Sequence, residues 1–271
     1  MSETRTETAV SRALATARGE DRAALVGYLP VGYPSVEGSI EAMRTMVRAG
    51  VDIVEIGLPY TDPLMDGPVI QTAATGALAA GVHVDDVFRA ARAVTDEGAA
   101  CVVMTYWNPV LRRGVEKFAA DLAAAGGSGL VTPDLVPDEA ADWLAASDAH
   151  DLDRIFLVAP SSTTERLVST TAASRGFVYA AALMGVTGAR SALGSDAAVL
   201  VDRVRQVSDI PVCVGLGVST AEQAHQVAQF ADGVIVGSAL VSCLVDAPDD
   251  LDRGLARLDT LARELAAGVR R

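Results

Sequence analysis

Residues 51–71, VDIVEIGLPYTDPLMDGPVIQ, begin as a strand and stop being one within seven positions. Side chains alternate along an extended chain, so Val51, Ile53 and Glu55 are expected on one face. A carboxylate then ends a row whose other members are apolar. Gly57-Leu58-Pro59 stops the strand, and Asp62-Pro63 and Asp66-Gly67-Pro68 follow. Asp-Pro and Asp-Gly are ordinary turn pairs, so each acid taken alone reads as part of a βα turn. Taken together, Glu55 and Asp66 read as two carboxylates carried over a pocket at the carboxyl end of a strand. The surrounding chain has to separate the two.

Outward from this stretch the same alternation recurs. Short Val/Ile-rich runs at 24–29, 100–105, 129–132, 155–158, 177–182, 211–214 and 233–236 read as further strands. Between them lie segments with helical spacing, among them 73–78, 84–94, 115–125, 138–149, 164–174, 196–207 and 221–230. Ser35 is a candidate N-cap for a helix carrying Ile40, Met43, Met46 and Val47. Eight strand–helix units without a linker imply a parallel sheet covered by helices. They fit a single (β/α)8 TIM barrel better than an open doubly wound sheet, and strand count separates the two. The expected layout is a helical extension over 1–20, the barrel over 24–245 with additional helices after strands two and eight, and a C-terminal helix over 246–271.

The net charge of −13 argues against nucleic acid, whose phosphates need a basic footprint. Apolar runs are too short for a membrane span. The start, MSETRTETAVSRAL, has no apolar signal core, and a cytoplasmic protein is expected. Cys101, Cys213 and Cys243 are too few and too scattered for a disulfide framework or a zinc site. His83, His150 and His225 lack metal-ligand spacing, and no metal site is expected. Lys117 is the only lysine, and it falls in a helical segment. Carbon–carbon cleavage β to a carbonyl usually draws on a lysine Schiff base or a metal. Here the substrate would supply its own electron sink, with carboxylates handling protons.

In a barrel of this kind the chemistry sits at the carboxyl ends of the strands. Three of these ends are glycine-rich: Gly185/Gly188, Gly215/Gly217 and Gly237-Ser238. The last two follow strands seven and eight and precede helices. Bare backbone N–H groups and a helix N-terminus there favour a phosphate. Glu55 would face the far end of a phosphorylated substrate. Tyr179 shares the parity of Phe177, and Tyr106, Asn108 and Asp134 follow strands three and four.

The motifs VEIGLPYTDPLMDGPVIQ, MTYWNP, FVYAAALMGVTG, VCVGLGVST and VIVGSALV match in order and spacing. On these the chain resembles the family of tryptophan synthase α subunits, from about residue 24 to 240. The resemblance implies a (β/α)8 barrel that splits indole-3-glycerol phosphate into indole and glyceraldehyde 3-phosphate, without Schiff base or metal. It implies Glu55 as general acid/base, Asp66 as the carboxylate on indole N1–H, and Tyr179 lining the pocket near Glu55. Gly188, Gly217, Gly237 and Ser238, with Gly215 beside them, would hold the phosphate. Tyr28, Met104, Tyr106, Val131, Leu157, Thr187, Leu216 and Ile235 would form the walls. Asp62, Asn108 and Asp134, with the loops over 57–68 and 185–195, would serve closure and partner contact. The implied partner is a pyridoxal-phosphate-dependent β subunit in an α2β2 heterotetramer; the α chain itself needs no cofactor. Two alternatives are a free-standing lyase that releases indole and a catalytically silent barrel that only activates a partner.

Overall fold

Valine and isoleucine crowd the backbone and favour extended chain, and the runs that carry them form the staves of a ring. The structure, a computed structural model, describes residues 7–182, 193–215 and 217–270, with backbone alone at 193–195. The strands are β1 (Ala24–Pro30), β2 (Ile53–Gly57), β3 (Ala100–Met104), β4 (Gly129–Val131), β5 in two pieces (Asp153–Ile155 and Leu157–Val158), β6 (Val178–Ala181), β7 (Val212–Gly215) and β8 (Gly233–Val236). The helices are α1 (Ala9–Gly19), α2 (Val36–Arg48), α3 (Pro68–Ala79), α4 (Val84–Asp96), α5 (Trp107–Arg113), α6 (Val115–Ala124), α7 (Ala141–Ala149), α8 (Thr164–Ala173), α9 (Leu193–Arg205), α10 (Ala221–Ala228), α11 (Ser238–Val245) and α12 (Leu251–Gly268).

All strand pairings are parallel, and neighbours follow chain order from β5 back through β1 to β8, β7 and β6. The ring closes within β5. Its first piece pairs with β4 and its second with β6. Phe156, between the pieces, accepts a hydrogen bond from the Tyr179 amide at 3.1 Å. The nine strand segments therefore make eight staves, and the closure removes the open-sheet alternative.

Alternation along the staves produces two cores. Val26, Ile53, Val102, Val131, Ile155, Phe177, Cys213 and Ile235 fill the barrel interior. Leu25, Val54, Ile56, Cys101, Val103, Leu130, Val178, Val212 and Val234 face outward under the helices. Val10, Leu14 and Ala17 of α1 join the inner set and plug its amino-terminal end, which leaves the carboxyl end open for a site.

Several expectations about local structure are corrected. Val51 does not share the face of Ile53 and Glu55. It belongs to the outer core, and its amide bonds to the Met46 carbonyl as the chain leaves α2, so strand parity begins only at Ile53. Helix α3 starts at Pro68, five residues before the apolar pattern becomes regular. Proline suits a first helical position, where its missing N–H costs nothing. Residues 107–109, which follow the third strand and fall outside the helical segments expected from the sequence, open α5 for the same reason: Pro109 falls in the first turn. Pro137–Glu139 is a 3-10 turn ahead of α7. Ser35 does cap α2, accepting from the Gly38 amide at 3.0 Å.

Candidate active site

At the open end lies a cavity of about 210 Å³ lined by residues from seven staves and the loops above them. Glu55, Tyr28, Tyr179, Met104, Leu157 and Ile235 point into it from the barrel wall. They do so because each continues an inward row: Ile53 leads to Glu55, Val26 to Tyr28, and Phe177 to Tyr179.

Glu55 is 1 % exposed, and its Oε1 atom is buried with no hydrogen-bond partner. Burial alone pushes its carboxyl up to about 8, because no nearby donor or cation offsets the lost hydration. Neutral pH thus finds it protonated, a carboxylic acid aimed into a pocket. Tyr179 stands on β6 across the ring. Burial, with the charge of Glu55 as the next cause, holds its phenol well above the usual range. Its hydroxyl occupies the space a Cβ at Gly215 would need.

Asp66 reaches the cavity from the loop after β2. Burial raises its carboxyl, and a hydrogen bond from Tyr106 opposes the rise. That bond is 3.1 Å long, from the Tyr106 hydroxyl to Asp66 Oδ1. The same hydroxyl accepts from the amides of Leu64 at 2.9 Å and Met65 at 3.0 Å. Tyr106 is therefore a hub that shapes the loop around Asp66 and, among the described residues, does not line the cavity wall. Val131 is likewise corrected. It pairs with Ile155 in the layer beneath and does not line the cavity among the described residues.

Asp134 accepts from the Trp107 amide at 2.9 and 3.1 Å and so caps α5. Asn108 donates to the Tyr60 hydroxyl at 3.2 Å, and Tyr60 stacks on Tyr106 with ring centroids 5.2 Å apart. Asp62 is exposed and accepts from the Thr61 hydroxyl at 2.6 Å. These three are rim residues, outside the cavity.

Gly215, Gly217, Gly237 and Ser238 line the opposite side of the cavity. Helix α11 begins at Ser238 with no side-chain cap, which leaves its N-terminal amides and positive dipole end to an anion. A Cβ at Gly237 would meet no atom closer than 3.6 Å, so this glycine leaves open the space a ligand would enter. Gly217 has φ +72°, a conformation that favours glycine. Helix α10 is different: the Thr220 side chain already caps it, so of the two it is α11 whose N-terminus is free to take an anion. Gly188, Thr187 and Leu216, with most of the 185–195 loop, lie outside the described residues.

Ile70, Gly67, Ala181 and Ala182 line the cavity without being among the residues expected there from the sequence. Ile70 follows from an α3 that starts at Pro68. The two alanines continue β6 past Tyr179, and their small size is the signal, since they leave room where larger residues would fill it. Lys117 is 62 % exposed on α6 and pairs with Asp121 at 2.8 Å. Among the described residues no group of three His, Cys, Asp or Glu could hold a metal ion.

Comparison with known proteins adds an independent line. A family model described as tryptophan synthase alpha chain matches residues 14–270. A tryptophan synthase alpha chain from Mycobacteroides abscessus is 63% identical over 254 residues, 94% of each chain. One from Mycobacterium tuberculosis is 62% identical over 253 residues, 93% of this chain and 91% of the relative. Among solved structures, a tryptophan synthase chain of Mycobacterium tuberculosis superposes with a TM-score of 0.91 at 59% identity, covering 98% of this chain and 100% of that one. The alpha chain from Legionella pneumophila keeps a TM-score of 0.87 at 29% identity, covering 97% of this chain and 98% of that one.

Proposed function

This chain belongs to the tryptophan synthase alpha chain family and is a lyase, and from that premise we propose how its own residues cleave indole-3-glycerol phosphate. The observation that carries the reading is Glu55: a buried carboxyl whose Oε1 has no partner and whose burial favours the protonated form, in a cavity whose other side is an uncapped helix N-terminus. The phosphate binds at Gly237 and Ser238, with Gly215 and Gly217 beside them. The indole lies among Met104, Leu157, Ile235 and Ile70, with its N1–H on the Asp66 carboxylate.

Glu55 gives its proton to indole C3. Positive charge then develops toward N1 and is held by Asp66. The Glu55 carboxylate so formed takes the proton of the C3′ hydroxyl. The C3′–O bond becomes the aldehyde carbonyl, the C3–C3′ bond breaks, and its electron pair returns to the indole ring. The proton given to C3 stays there as the C3–H of indole, and the hydroxyl proton replaces it on Glu55, so the cycle leaves Glu55 as it began. One carboxyl serves as acid and base because its pKa lies near working pH. Gly188, Thr187 and Leu216 complete the proposed phosphate and wall contacts, and Tyr179 packs the substrate against Glu55. The chain needs no cofactor of its own for this sequence of steps.

The proposed partner is a β subunit that receives indole, in an α2β2 assembly. Leu64 is 80 % exposed at the rim beside the exposed Met65, and Val136 is exposed on the chain after β4; solvent-exposed apolar side chains around a site mouth suit a docking surface. Among the described residues no helix is long and apolar enough to cross a membrane, and a cytoplasmic location is proposed. The test is indole release from indole-3-glycerol phosphate with and without the β subunit. Large stimulation is expected. Full activity alone would favour the free-standing lyase, and no indole under either condition would overturn the enzyme reading.

A further inference from the structure

We propose that Tyr28 contacts the substrate, its hydroxyl bonding a hydroxyl of the three-carbon chain between indole and phosphate, so that it selects a hydroxylated chain over a plain alkyl one. The inference deepens the proposed reaction and rests on it.

The placement follows from the ring order. Strand β1 lies between β2, which carries Glu55, and β8, which runs into Gly237 and α11. Tyr28 is in register with Glu55 and continues the inward row of Ala24 and Val26. Its ring spans the gap between the two halves of the site. The Cβ and Cδ1 atoms would lie 3.7 and 3.6 Å from a Cβ at Gly237. The hydroxyl, at the other end, occupies the space that a Cβ at Gly57 would take. Gly57 thus ends β2 without a side chain, and the phenol uses the room this leaves.

The hydroxyl is chemically idle in the protein. Tyr28 is 8 % exposed and lines the cavity, yet its hydroxyl has no hydrogen-bond partner among the described residues. Facing the cavity, it is left free for a ligand to bond. Burial first, then the charges of Asp66 and Glu55, hold the phenol well above its usual pKa, so it remains a donor throughout the working range. A ligand anchored at Gly237 and Ser238, with its reacting carbon at Glu55, has to cross in front of Tyr28. In indole-3-glycerol phosphate the part that crosses there carries hydroxyls.

Tyr28→Phe removes the hydroxyl and leaves the ring. The experiment compares wild type and variant, each with the β subunit, in two measurements. One is kcat/KM for indole-3-glycerol phosphate. The other is Kd by calorimetry for 3-(indol-3-yl)propyl phosphate, which keeps the indole and phosphate and lacks the chain hydroxyls. The expected result is a loss of about tenfold in kcat/KM, the size of one hydrogen bond, with an unchanged Kd for the propyl phosphate. That unchanged Kd also shows that the variant is folded with its pocket intact. An unchanged kcat/KM, or an equal loss of affinity for the propyl phosphate, overturns the inference. If wild type itself releases no indole, the proposed reaction fails instead, a separate outcome.

Discussion

Glu55 is the residue on which the chemistry turns, and its environment makes two predictions. Glu55→Gln keeps the shape and removes the transferable proton. Cleavage should fall by at least about a hundredfold while substrate still binds, as single-turnover and calorimetric measurements would show; an undiminished rate removes Glu55 from its role. The second prediction concerns pH. The reaction starts from protonated Glu55 and ionised Asp66. Activity should rise as pH climbs through the Asp66 value, which burial has raised, and fall as pH passes about 8, where Glu55 ionises. A rate profile flat between pH 7 and 9 contradicts this. Stability has its own sign. The folded chain keeps the Glu55 proton up to about 8, whereas the unfolded chain releases it near 4.5. Folding takes up a proton between those values, so this group makes the protein less stable as pH rises through the window. Glu55→Gln escapes the penalty. It should be more stable than wild type at pH 8 by a few kcal/mol, at roughly 1.4 kcal/mol per pKa unit, and lose that advantage at pH 4.5 in urea titrations.

At the scale of elements, the loop after β2 is held by groups distant in sequence. Asp134, past the end of β4, caps α5. Tyr106 is the N-cap position of α5, and from there its hydroxyl gathers Leu64, Met65 and Asp66. Tyr106→Phe breaks all three bonds at once. Because the bond to Asp66 lowers that carboxyl, its loss should move the acid limb of the rate profile to higher pH and lower kcat by about tenfold or more. A lowered kcat with an unmoved acid limb would make Tyr106 a merely structural residue. This arrangement was only partly readable in advance. MTYWNP was recognisable as a unit, and Glu55 and Asp66 could be separated by strand parity and loop chemistry. That Tyr106 serves Asp66, and that Asp134 serves α5, depends on neighbouring staves lying side by side. Spacing within one segment carries no information about that.

For the whole molecule, the barrel has a floor as well as a mouth. Helix α1 places Val10, Leu14 and Ala17 against the lowest interior layer, and Thr8, its N-cap, donates to the buried Asp153 at 2.7 Å. Leu14→Ala should destabilise the protein by roughly 2–5 kcal/mol, the usual range for a buried leucine, as read from urea unfolding. The folded fraction should cleave at the wild-type rate, because the site is at the opposite end. A change in kcat with unaltered stability would contradict the division between floor and mouth.

The eight strand–helix units, the parallel sheet they imply, and the inward position of Glu55 and Tyr179 were legible in the chain alone. Those are consequences of local period and parity, which each segment carries alone. Val51 marks the limit of parity, since it sits before the strand begins. It took the assembled ring to show how it closes through Phe156, which strand neighbours bring Tyr106 to Asp66, and why α11 rather than α10 is free to hold an anion. These are relations between segments far apart in the chain. The loop from 51 to 71 shows both. Its acids could be read in order, but the burial that keeps Glu55 protonated comes from the staves around it.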